Sequence, residues 1–202
     1  ATSQPEPVVL SAGEIARGMH GALGFLQRDP AATSHFDNTP EACLRSFQVM
    51  ILVAPLHLTL LLIRYSYVTT VADDFEIVFV EALRYIVDWL LFPVLFYEIA
   101  RRRNWLGRYP GYISALNWVN LPAMIVAVVG VIVATVVPLA LGELIRIGLQ
   151  GLFFYWFLVT TRLALGAGWP QAVLLLVVNW VPSLFLSLIV DRYLGIAPAV
   201  GA

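Results

Sequence analysis

Lysine is missing altogether, and every one of the 12 basic residues is an arginine. Arginine without lysine reads as the composition of a GC-rich bacterial genome, although a guanidinium also grips carboxylates in a two-pronged way that an ammonium does not. Cysteine occurs once, at Cys43, which excludes a disulfide within the chain and any cysteine-based metal site. Charged residues make up only 12% of the chain, and the net charge is −1. The basic residues are scattered apart from one cluster, so there is no electrostatic footprint for nucleic acid. No Gly-rich phosphate loop, nucleophile motif or paired carboxylate set of an enzyme is present, nor any metal-ligand spacing, and the chain is expected not to be an enzyme. The first apolar run starts only near Ser46, behind a polar stretch with five acidic residues. A cleavable signal peptide is therefore not expected, and insertion would be directed by the spans themselves.

Apolar residues, by contrast, are 60% of the chain, far above the globular average. Five stretches are long enough to cross roughly 30 Å of hydrocarbon at about 1.5 Å per residue: 45–68, 77–100, 112–137, 143–166 and 170–190. The expected fold is all-α, a polytopic membrane protein whose five-helix domain covers 45–190, with a tail at 191–202. The links "VVPLALGE" and "LGAGWP" are so short that the last three spans must run antiparallel as neighbours. Arg101, Arg102, Arg103 and Arg108 crowd one loop, whereas "VTTVADDFE" has three acids and no base. Basic loops stay cytoplasmic, which predicts a bacterial inner-membrane protein with its N-terminus inside and its C-terminus in the periplasm. These four arginines are then orientation signals facing lipid headgroups.

Residues 1–44 are a different material. Within 11–28, Ser11 and Glu14 form a capping box, Ile15, Met19, Leu23 and Leu26 make one apolar stripe, and Pro30 ends the helix. This amphipathic helix would lie along the cytoplasmic membrane face or on a partner, with Gly18, Gly21 and Gly24 permitting close approach; packing beneath its own bundle is the equal alternative. Thr39 and Pro40 then cap and start the next helix.

Chemistry gathers on the second span, "VEALRYIVDWLLFP". Glu81, Arg84 and Asp88 are three and four residues apart and share one face, with Arg84 about 10 Å deep and Asp88 near the bilayer centre. Ionisable groups at that depth are costly, about 3 kcal/mol each even on lenient scales, so they need a reason. One guanidinium can satisfy both carboxylates, making the triad a fastening of this span to its own bundle or to another subunit, a proton or ion site at Asp88, or a ligand contact. His57, Asn117, Asn120, Gln150 and Asn179 are the candidate polar lining on the other spans. His57 also leaves open a shared haem or pigment, since no second ligand lies at membrane depth. No cofactor or metal is otherwise indicated.

Five spans behind a cytoplasmic segment, Pro55, Pro93, Pro122 and Pro182 within four of them, and short terminal hairpins resemble the Yip1-type architecture and its small bacterial relatives. The stretch "FDNTPEACLRSFQVMILVAPL" is similar to the entry to the first span in such proteins. The resemblance implies a role in membrane organisation and brings no site residues. Taken together, the sequence suggests a non-enzymatic accessory, scaffold or assembly subunit, whose partners are the bilayer and either another membrane protein or further copies of itself. The alternatives are a small transporter or proton-coupled channel using Asp88, and a pigment- or haem-contacting subunit.

Overall fold

The structure is a computed structural model and describes residues 10–198. Helix α1 spans Ala12–Leu26 and is capped as its sequence requires: the Ser11 hydroxyl accepts from the Glu14 amide at 3.3 Å, while Glu14 Oε2 accepts from the Ser11 amide at 2.8 Å. A 3-10 turn over Pro30–His35 follows, and then α2, Pro40–Ser46, begins on a hydrogen bond from the Ala42 amide to Thr39 Oγ1. Helix α3, Val49–Tyr65, continues from it after a tight turn. Its C-terminus falls short of residue 68 because Val68–Thr69 leave the helix as strand β1 and pair antiparallel with β2, Ala197–Pro198.

Three long helices and a fourth, still longer one complete the chain. Helix α4 spans Asp74–Arg102, with Asp73 Oδ1 accepting from the Glu76 amide at its start. Helices α5, Tyr109–Val136, α6, Leu139–Leu165, and α7, Trp169–Tyr193, follow in tight antiparallel succession. The break between α6 and α7 is made by Gly166 at φ 67°, a backbone state in which a side chain would be strained. Helices α4 and α7 run past the expected 77–100 and 170–190 at both ends, whereas α5 and α6 start before 112 and 143 and end one residue short of 137 and 166.

The fold is all-α, and four helical stretches are long and apolar enough to cross a membrane: Pro40–Tyr65, Leu106–Val136, Leu139–Leu165 and Trp169–Tyr193. Helix α4 has the length but not the composition, because every 18-residue stretch of it holds at least three charged side chains. The sequence expectation of five apolar spans is thus met for four.

Two clusters of side chains form the core. One joins α1, α3, α5 and α6 through Phe25, Val53, Trp118 and Trp156, and the other closes the opposite side of α5 with Phe92, Phe96, Tyr112 and Phe157. Helix α1 packs on α5 and α6. Its inner face is Gly18, Gly21, Ala22 and Phe25, whereas Leu23 of the expected stripe is 42% exposed. Two glycines explain the fit: a Cβ at Gly18 would run into the Trp118 indole, and one at Gly21 would strike Phe36. The Trp156 indole then donates to the Ala22 carbonyl at 2.9 Å, tying α1 to α6.

Candidate functional site

Glu81 is 3% exposed and is held by three donors from two helices. The Tyr65 hydroxyl donates at 2.8 Å and Arg84 Nε at 2.6 Å, while Arg64 Nη1 stands 3.6 Å away. The second arm of Arg64 meets Asp191 of α7 at 2.6 Å. Glu81, Arg84, Arg64 and Asp191 therefore form a chain of alternating charge across α3, α4 and α7, satisfied within the protein. Sequence reasoning placed Glu81 and Arg84 in a site but missed Tyr65, Arg64 and Asp191, which lie at the ends of α3 and α7.

Asp88 is not part of this chain, and the expectation that one guanidinium holds both carboxylates is corrected. Arg84 pairs with Glu81 and makes no ion pair with Asp88. The Asp88 carboxylate turns to α7 instead, where the Ser183 hydroxyl donates to Oδ1 at 2.5 Å. Nothing else among the described residues bonds it, and its second oxygen has no protein donor.

That carboxylate opens on a cavity of about 310 Å³ between α4, α5, α6 and α7, which is half open to the surface, with Asn120 and Gln150 exposed at it. Asp88 is the central residue of the 29 in α4, and Asn120, Gln150 and Asn179, which also line the cavity, fall close to the middles of α5, α6 and α7. The side chains of these last three make no hydrogen bond within the described protein. Asn117 lines the cavity too, but its amide is engaged, donating to Ser46 Oγ at 2.9 Å. Four of the five candidate polar residues thus join Asp88 in one place. The rest of the wall is apolar and largely aromatic, with Trp89, Trp156 and Trp180 among it. The signal for that wall was the aromatic run Phe153–Phe157 on α6, four of whose five members line the cavity.

His57 is the fifth candidate, and it does not line the cavity. Its ring lies on Tyr85 with centroids 4.7 Å apart, and its Nε2 is buried without a partner. Helix α3 is turned away from the cavity because it packs on the far side of α5, beneath α1. No group of three His, Cys, Asp or Glu side chains able to hold a metal ion occurs among the described residues.

The loop arginines have local duties. Arg101 and Arg102 both pair with Glu98, and Arg103 is exposed. Arg108 Nη1 donates to the Leu165 carbonyl at 2.7 Å, a cation at the C-terminus of α6, where free carbonyls and the helix dipole favour it. At the same end Glu14 and Arg45 meet at 2.5 Å, and these bonds from Arg45, helped by the Ser11 amide, hold the Glu14 carboxyl down at about 2 against an ordinary 4.5. Comparison with protein-family models, with curated proteins and with solved structures gives no match to this chain.

Proposed function

We propose that the protein is a small membrane transporter or proton-coupled channel, and that Asp88 is the group on which its passenger rests in mid-membrane. The observation that carries this is the meeting of one carboxylate oxygen and three side-chain amides, all without protein partners, on one cavity at the middle of four helices. Polar groups in hydrocarbon find partners unless water or a guest supplies them, and they mark passages more often than packing. Fastening to another subunit has less to recommend it, because Glu81 and Arg84 pair with each other and with α3 of the same chain, which is a fastening within the bundle.

In this reading α4 is the fifth span. Its 29 residues reach about 43 Å, and the charges of its middle, Glu81, Arg84 and Asp88, turn to α3, α7 and the cavity. The Arg-rich end of α4 faces the cytoplasm of a bacterial cell, as does α1, and the acidic end with β1 and β2 faces out. Five spans behind a cytoplasmic helix is also the plan that the Yip1-type resemblance implies.

The test is proton entry into pyranine-loaded proteoliposomes under an imposed membrane potential. Wild-type protein should admit protons and Asp88→Asn should not, with matched reconstitution. Undiminished entry through Asp88→Asn defeats the reading. Absence of flux in a protein that always elutes with another subunit returns the accessory role to first place.

A further inference from the structure

We infer that the guest of this cavity is a lipophilic organic cation, a protonated amine or an onium ion on an apolar body; the inference rests on the transport reading and specifies its passenger. Among the described residues Asp88 is the one charged residue lining the cavity, and no arginine or histidine among them lines it. The nearest cation on the same helix, Arg84, is taken by Glu81 at 2.6 Å. Ser183 occupies a single oxygen of the carboxylate, so a positive guest meets an anion that the fold leaves half-served.

The wall matches the body of such a guest. Seven of the twenty lining residues are aromatic, which offers ring faces to a cation from several helices at once. Phe154 and Trp180, from α6 and α7, stand edge to face with centroids 5.5 Å apart, so two ring orientations are presented side by side. Trp156 has its indole N–H committed to the Ala22 carbonyl, so its polar edge is satisfied away from the guest. The three free amides suit a guest whose charge is dispersed or which brings water along. A volume of about 310 Å³ is at the small end of ligand sites. An anionic guest would meet Asp88 with no cation to offset it. A choline lipid headgroup would bring a phosphate whose charge no cationic side chain among the described lining residues offsets, which favours a free cation as the guest.

Radiolabelled tetraphenylphosphonium and its isosteric anion tetraphenylborate separate the possibilities, with the full-length protein in phosphatidylglycerol nanodiscs. The cation should bind saturably and the anion should not. Asp88→Asn should weaken cation binding about tenfold or more, the worth of one contact with a charged group. Trp180→Ala should weaken it less. Equal binding of both ions, or cation binding that ignores Asp88→Asn in a protein of unchanged helicity, overturns the inference. So does displacement by added phosphatidylcholine. Because cation against anion is compared on the wild-type protein, misfolding of a variant leaves the main result standing. Proton flux without cation preference would sink this inference and spare transport; saturable cation binding without any flux would do the reverse.

Discussion

Replacing Arg84 with methionine tests whether the buried charge chain is what holds α4 to α3 and α7. Glu81 is almost fully buried and would lose its 2.6 Å donor while keeping Tyr65 at 2.8 Å and the more distant arm of Arg64. A hydrogen bond to a charged group is worth about 1.5–3 kcal/mol, and stranding a buried charge outright costs about 3–5 kcal/mol. With two donors left, Arg84→Met should cost about 2–3 kcal/mol. Glu81→Gln in the wild-type background should cost less, since a neutral amide still accepts from Tyr65. Combining the two removes the uncompensated charge, and the pair should show a coupling of about 2 kcal/mol. The assay is reversible unfolding of the purified protein in mixed micelles, followed by helical circular dichroism. A coupling below about 0.5 kcal/mol would refute the claim that the pair stabilises the isolated chain, and would point back to a partner helix as its true counterpart.

Gly18→Leu should detach α1: overpacking against Trp118 costs about 1–3 kcal/mol, more than the helix propensity gained, and trypsin should then cut at Arg17 and Arg28 sooner while the long helices stay intact. Equal cleavage in both proteins would show that α1 does not depend on that contact. Glu14 binds its proton less readily in the folded state, so its contribution is full above about 4.5 and is lost as pH falls toward about 2. Hydrogen exchange of α1, corrected for its intrinsic pH dependence, should rise over that window in wild-type protein and stay level in Glu14→Gln; parallel behaviour would count against the pair. Asp88→Asn, finally, should abolish proton entry in proteoliposomes and weaken binding of tetraphenylphosphonium, two readouts that need not fail together.

The sequence by itself determined the long helices and the N-terminal one, though not strands β1 and β2 or the 3-10 turn, because what makes and ends a helix is largely local. Ser11 with Glu14, Thr39 with Pro40, and Gly166 each act within a few residues, and the apolar runs between them leave no doubt about class. It also determined that Asp88 lies near mid-helix, since depth follows from rise along the chain. Only the tertiary structure decided which side chains meet. A helix that is apolar on every side does not announce which face turns inward. Nothing in the order of residues therefore showed that Asp88 turns to Ser183 rather than Arg84, that His57 stands apart on Tyr85, or that Gly18 rather than Leu23 faces the bundle. Rotation of each helix about its axis is set by the side chains of its neighbours, and those neighbours are brought together by the fold.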